Sequence, residues 1–510
     1  MNRAHLLIAL LIGGAPSAVL AQNGDVHRAA ESITEADLRR AIEVIAHDSM
    51  GGRDTPSRGL DLTARYIANE FTRLGLEPAG DAGSFIQRYP LNRTRIDGDS
   101  SRIVFKAGGT TAVASARRDL VYVFGPRTGR PVKGKVLLVG GPLQLDSAKS
   151  LDLEGTILVV VADSRAPNAT PVNQYLSGAF ERNPAAVIVV LNNDTLTLAR
   201  QVANQFRERT TVEGEVDTDP VVTMVHERAL GDVFRAAGID LAAFSASPAY
   251  TVRTAESLAI AVTIANVGGP GMSAPNVAAI LEESDPALRH EYIVFSAHMD
   301  HVGTNANAKG DSIWNGADDD ASGTAGVMEL AEAFSMPGAR PRRSLIFLTV
   351  SGEEKGLWGS EYFATHLPVP LSQVVANVNM DMIGRNWRDT IVVIGKEHSD
   401  LGATLARVTA EHPELRMQPI DDLWPNENFY FRSDHFNFAR RGVPVLFFFN
   451  GTHRDYHRAS DTPDKIDAEK EARIVRLVYY LGLEVGNATA RPRWNPDSYK
   501  RIVDKQFQQP

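Results

Sequence analysis

The sequence predicts an α/β protein, a mixed, mostly parallel sheet flanked by helices, with a smaller β-rich module inserted into it. Three observations carry this. Near-continuous apolar runs at 292–297, 345–350, 374–380, 390–394 and 443–449 have the texture of strands covered on both faces. They alternate with segments of helical periodicity at 322–334, 359–366, 400–412 and 470–487, the pattern of a helix-flanked sheet. Between 119 and 250 the texture changes to short β-branched runs at 120–124, 134–139, 156–161 and 186–191, punctuated by Gly, Pro and Asp.

In chain order, residues 1–21 have the three parts of a secretory leader. Arg3 is the positive start, 6–12 is apolar, and Val19-Leu20-Ala21 offers a cleavage site before Gln22. The segment is too short to span a membrane, and no other stretch is long and uncharged enough to do so. The reading is a secreted or periplasmic protein without stable membrane insertion. Residues 22–118 form the first part of the main domain. Ser32 is placed to cap a helix carrying Leu38, Ile42 and Ile45 on one face, and a second helix over 60–74 stops at Gly75. Between them, Gly51-Gly52-Arg53-Asp54-Thr55-Pro56 reads as a turn-rich loop. After the inserted module at 119–250, residues 251–490 form the second, chemistry-bearing part, and 491–510 read as a polar tail.

Composition narrows the chemistry. The 510 residues include 62 acidic against 53 basic side chains, a formal net charge of −9, and no basic stripe with interleaved aromatics, which excludes a nucleic-acid partner on charge grounds. Cysteine is absent, so thiol nucleophiles, thiolate metal sites and disulfides are all excluded. Any metal must be held by His, Asp and Glu.

Those residues stand where the apolar runs end. Run 292–297 ends in His298-Met299-Asp300, run 345–350 in Ser351-Gly352-Glu353-Glu354, and run 374–380 in Asp381; His453 and His457 follow run 443–449. Ligands of open α/β sheets bind beyond the carboxyl ends of the strands. A glycine-flanked acidic loop, Gly316-Ala317-Asp318-Asp319-Asp320-Ala321-Ser322-Gly323, opens directly into a helix. A solvated turn or a helix cap would explain each piece alone. Gathering this many carboxylates at one sheet edge is costly unless a cation neutralises them, and two His with several carboxylates suit Zn²⁺ or a similar first-row ion. Adjacent residues at a strand end point different ways, so of Glu353 and Glu354 one is expected to bind metal and its neighbour to handle a proton, the division of labour of metal-assisted hydrolysis.

These blocks, with Asn379-Met380-Asp381-Met382 and Tyr456-His457-Arg458-Ala459-Ser460-Asp461-Thr462, resemble in order the signature blocks of metallopeptidase family 28, which holds co-catalytic di-zinc aminopeptidases and glutamate carboxypeptidases. The inserted module resembles the protease-associated domain of many members. The resemblance implies two Zn²⁺ and a peptide substrate. His298 and Asp381 would be terminal ligands of one ion, Glu354 and His457 of the other, with Asp319 bridging both. Glu353 would be the general base, and Asp300 the carboxylate orienting His298. The three ligand carboxylates supply −3 against +4. Arg432, Ser433, Asp434 and His435 resemble a family segment too and are candidates for the pocket wall.

The expectation is an exported zinc aminopeptidase. The alternatives are a carboxypeptidase acting on acidic peptides and a receptor-like member that lost the chemistry. A glutaminyl cyclase resembles a one-zinc site instead. A serine hydrolase is disfavoured: there is no Gly-x-Ser-x-Gly elbow, and the contiguous Ser433-Asp434-His435 cannot assemble a nucleophile–base–orienter relay.

Overall fold

The principal sheet is built on four parallel strands whose every residue is buried: β2 (Tyr292–His298), β3 (Ser344–Val350), β4 (Val374–Met380) and β7 (Val445–Phe449). Burial on both faces is why they read as unbroken apolar runs. With β1 (Asn266–Leu281), β5 (Thr390–Ile394) and β6 (Gln418–Ile420) the order is β1–β3–β2–β4–β7–β5–β6. The pairs β3–β2, β2–β4, β4–β7 and β5–β6 are parallel; β1 on β3 and β5 on β7 are antiparallel. This is the mixed sheet expected, parallel at its centre. Register sets the chemistry: His298 lies opposite Val350, and Met380 opposite Phe448, so four strands end level on one edge.

The structure is a computed structural model and describes residues 15–161, 172–192, 195–214, 219–283 and 285–504. Most of the leader expected at 1–21 lies outside them. Among the described residues no helix is long and apolar enough to cross a membrane.

Helices α1 (Ala15–Ser32), α2 (Glu35–Ile45), α3 (Arg58–Arg73), α4 (Gly323–Ser335), α5 (Trp358–Thr365), α6 (Leu401–Glu411), α7 (His435–Ala439) and α8 (Ala468–Asn487) accompany this sheet. In α3 the Ser57 hydroxyl accepts from the Leu60 N–H, and Leu60, Ala64, Ile67 and Phe71 form the buried stripe. The cap of α2 differs from the sequence expectation. Ser32 ends α1, its hydroxyl donating to the Ala29 carbonyl, and Thr34 caps α2 by accepting from the Asp37 N–H. Two hydroxyl residues, one on either side of Ile33, compete for one role, and the capping signal does not discriminate between them at that spacing. The polar tail is also corrected. Within 491–504 the Trp494 indole donates to the Gly442 carbonyl, and Ile502 and Val503 are buried in the core around β7. These scattered apolar residues lack the period that would have marked them.

The chain divides into two units. One comprises the sheet above, with Ser273–Pro510 and the N-terminal residues up to Tyr89; the other is Pro90–Met272. The second holds a mixed six-stranded sheet in the order Thr251–Thr254, Val136–Gly140, Ile157–Val161, Ala186–Leu191, Val221–His226 and Leu120–Phe124. A four-stranded antiparallel sheet, Thr110–Ser115, Arg102–Ala107, Ala259–Thr263 and Val132–Lys133, shares its core. Three of those strands lie outside 119–250. Arg102–Ala107 is buried only at alternate positions, a weaker sequence signal than a continuous run.

Candidate metal centre

The edge where β2, β3 and β4 end carries two groups of convergent donors. His298, Asp319 and Asp381 form one; His301, Asp319, Glu354 and His457 form the other. Asp319 belongs to both. Its Oδ1 stands 3.3 Å from His298 Nε2, and its Oδ2 stands 3.1 Å from His457 Nε2 and 3.6 Å from His301 Nδ1. Asp381 Oδ1 is 3.5 Å from His298 Nε2, Glu354 Oε2 is 3.0 Å from His457 Nε2, and Glu354 Oε1 is 2.8 Å from His301 Nδ1.

Hydrogen bonds to the surrounding loops explain why only one of three consecutive aspartates faces the donors. Asp318 Oδ1 accepts from the Gly384 N–H at 2.7 Å, and its Oδ2 lies 3.1 Å from His453 Nε2. Asp320 accepts from the N–H groups of His298, Met382 and Gly323, tying the loop to β2, β4 and the start of α4. The Asp461 carboxylate accepts from the N–H groups of Asp318 and Asp319 and fixes the loop from the far side. Gly316 is required here: at φ +58°, an added Cβ would lie 2.2 Å from the Asp319 carbonyl and 2.5 Å from the His301 ring.

The supporting shell comes partly from the turn-rich loop. The buried Thr55 hydroxyl donates to Asp300 Oδ2 at 2.9 Å and accepts from the Gly352 N–H, linking the ends of β2 and β3. Asp300 Oδ1 accepts from the Glu353 N–H at 3.3 Å and lies 3.6 Å from His298 Nδ1, which is nearer the Asp300 carbonyl at 3.2 Å. The fully buried Arg53 guanidinium donates to the carbonyls of Met299, Ile45, Asn315 and Gly316. Neither Arg53 nor His301 is among the site residues expected from the sequence. Three of the four carbonyls that Arg53 meets lie more than two hundred residues away and leave no local pattern, whereas the step of three from His298 to His301 is a signal.

Burial alone would raise the Asp319 pKa, but His301, His298 and His457 around it hold the carboxyl well below its usual range. Burial pushes Glu353 well above the usual glutamate value against the opposing pull of His298, and the carboxylates of Asp381, Asp434 and Glu354 add to the rise.

A cavity opens against His298, Asp319, Glu353 and Asp381. Its other walls are Met382, Phe429, Phe447 and Phe449, with Arg432, Ser433, Thr452 and Tyr456. Of the four-residue stretch expected at the pocket, Arg432 and Ser433 line it and Asp434 and His435 do not. Both are fully buried, and His435 stacks on Phe447 with ring centroids 4.4 Å apart. Other arginines of this part of the chain are committed to ion pairs: Arg385 with Asp455, and Arg440 and Arg441 with Glu361.

The donors fit a metal pair. Buried polar atoms are almost always hydrogen-bonded, yet both ring nitrogens of His301, Asp319 Oδ2, Glu354 Oε1 and His457 Nε2 are buried without a hydrogen-bond partner. Donors about 2.0–2.2 Å from a tetrahedral Zn²⁺ stand roughly 3.3–3.6 Å apart, and His298 Nε2 keeps such spacings to Asp319 Oδ1 (3.3 Å) and Asp381 Oδ1 (3.5 Å). An all-nitrogen-and-oxygen donor set is one that zinc accepts.

Residues 276–482 match the model of peptidase family M28. A probable leucine aminopeptidase of Arthroderma benhamiae is 28% identical over 223 residues, covering 42% of this chain and 58% of the relative. Leupeptin-inactivating enzyme 1 of Streptomyces exfoliatus is 26% identical over 225 residues, 44% of this chain and 46% of the relative. The chain thus spans about half the length of these curated relatives. In three dimensions it resembles the aminopeptidase from Aneurinibacillus sp. strain AM-1, at 19% identity and a TM-score of 0.51, over 91% of this chain and 97% of that one, which is a likeness of fold. Sheet topology and motif order agree with the match of residues 276–482 to the model of peptidase family M28.

Proposed function

We propose that this protein is an exported di-zinc aminopeptidase that removes residues from the amino terminus of peptides. The observation that carries the reading is the Asp319 carboxylate, which turns one oxygen to His298 and the other to His457. His298 and Asp381 would hold one zinc, Glu354 and His457 the other, and Asp319 would bridge. Zinc bound there would supply Lewis acidity, polarising the scissile carbonyl and acidifying water. Glu353, on the cavity wall, acts as the base: its carboxylate takes the proton from the attacking water and passes it to the nitrogen of the leaving amine as the C–N bond breaks. Asp300, held by Thr55, orients His298.

Amino-terminal polarity is supported by the cavity's charge. Glu353 and Asp381 border it and suit a substrate ammonium, whereas a carboxypeptidase needs a cluster of free cations. Arg432 is the cavity's one arginine among the described residues, and its guanidinium lies over the Phe429 ring, 4.8 Å from the centroid. The walls of Met382, Phe429, Phe447 and Phe449 favour an apolar first side chain, since burying one there removes apolar surface from water. Export rests on the leader at 1–21, and amino-terminal sequencing of exported protein should begin near Gln22. The module at 119–250, which falls within the Pro90–Met272 unit, is assigned on its sequence texture to the protease-associated type.

Peptides blocked at one end test the polarity. Leucine- or phenylalanine-initiated peptides with amidated carboxyl ends should be trimmed, and their amino-acetylated counterparts spared. The reverse pattern identifies a carboxypeptidase.

A further inference from the structure

We propose that His301 is a fourth protein ligand at the Glu354/His457 position, so that the two metal positions differ in kind: one closed by protein and slow to exchange, the other open toward substrate. The proposal rests on the two-metal reading above. His301 is fully buried, and both ring nitrogens lack a hydrogen-bond partner, which in a well-packed interior calls for a ligand. Its Nδ1 stands 2.8 Å from Glu354 Oε1 and 3.6 Å from Asp319 Oδ2, and its ring meets that of His457 edge-on, with centroids 5.6 Å apart at 72°. One ligand atom from each of His301, Asp319, Glu354 and His457 lies within 4.8 Å of all the others.

The backbone holds the imidazole there. The His301 N–H donates to the Arg53 carbonyl at 3.3 Å, and Gly316, lacking a Cβ, leaves the ring its space. The cavity supplies the second, independent observation. His298, Asp319 and Asp381 all line it, but of the other group only Asp319 does. Four protein donors are the arrangement of a closed zinc site, and three with an open position that of a catalytic one.

The test is metal exchange in the full-length protein, read without an assay of activity. Zn²⁺ loss to a competing chelator is followed in wild type, His301→Ala and His301→Gln, and Co²⁺-loaded forms are compared by visible absorption. Wild type should bind two ions and release them at rates at least about tenfold apart. Both variants should lose the slow phase, bind the second ion at least about tenfold more weakly, and show altered cobalt bands, with the circular dichroism of the metal-free form unchanged. Variants with two ions, wild-type exchange and wild-type cobalt bands would overturn the assignment of His301 alone. If both variants misfold, the wild-type phases decide: a single rate for both ions contradicts the proposal. Wild type that binds fewer than two ions refutes the two-metal reading itself.

Discussion

The Ser433 hydroxyl donates to Asp381 Oδ2 at 2.8 Å, on the carboxylate oxygen turned away from His298. That hydroxyl accepts from Asn379 Nδ2, Asn379 Oδ1 accepts from Ser296, and Ser296 accepts from Asn377 Nδ2, all four side chains buried beneath the metal centre. The relay fixes the direction of each O–H and leaves Asp381 Oδ1 free for an ion. Ser433→Ala should therefore weaken zinc at the His298/Asp381 position by about 10–100-fold, the usual cost of losing a group that orients a ligand. Chelator competition reads this directly, and affinity equal to wild type would remove Ser433 from the metal shell.

Arg53 joins the loops carrying His301 and Asp319. Burial lowers its pKa to about 10, so it stays charged at neutral pH. Lysine cannot reach four carbonyls with the same planar fork. Arg53→Lys should cost about 2–4 kcal/mol in urea unfolding, from buried carbonyls left unpaired, and should weaken zinc binding with it. Replacing Arg440, which pairs with Glu361 nearer the surface, should cost under about 1 kcal/mol and leave zinc binding intact. Equal costs for the two would mean that the Arg53 carbonyl contacts contribute nothing special.

Much of the fold was legible before the structure, because strands buried on both faces write themselves as continuous apolar runs and their polar ends mark the functional edge. The triple aspartate could be read only as a group; its separation into one residue facing the donors and two that tie down backbone depends on the N–H groups of His298, Met382 and Gly384, which are distant in sequence. His301 went unread for a related reason: its imidazole meets Glu354 across the sheet edge, a pairing that sequence spacing does not encode.

Glu329 on α4 predicts a pH dependence of stability. Burial raises its pKa to about 8, and Asp37 and Glu332 contribute. The native carboxyl keeps its proton up to that pH, whereas the unfolded one releases it near 4.5. Stability is unaffected below about 4.5, falls as pH rises from there to 8, and carries the full penalty above, at about 1.4 kcal/mol per pKa unit retained. Glu329→Gln should therefore raise Tm at pH 9 and change it little at pH 4.5. An increase of the same size at both pH values would show that Glu329 is not the titrating group.

The most direct measurement of the proposed chemistry compares Glu353→Gln with Glu354→Gln, counting bound zinc and the rate of leucyl amide hydrolysis on the same preparations. Glutamine keeps the shape of Glu353 but cannot take a proton from water at neutral pH. Glu353→Gln should retain two zinc ions and lose about 10²–10⁴ in rate, while Glu354→Gln should bind one ion weakly and recover part of its activity with added zinc. Loss of an ion from Glu353→Gln, with both retained in Glu354→Gln, would contradict the assignment of base and ligand.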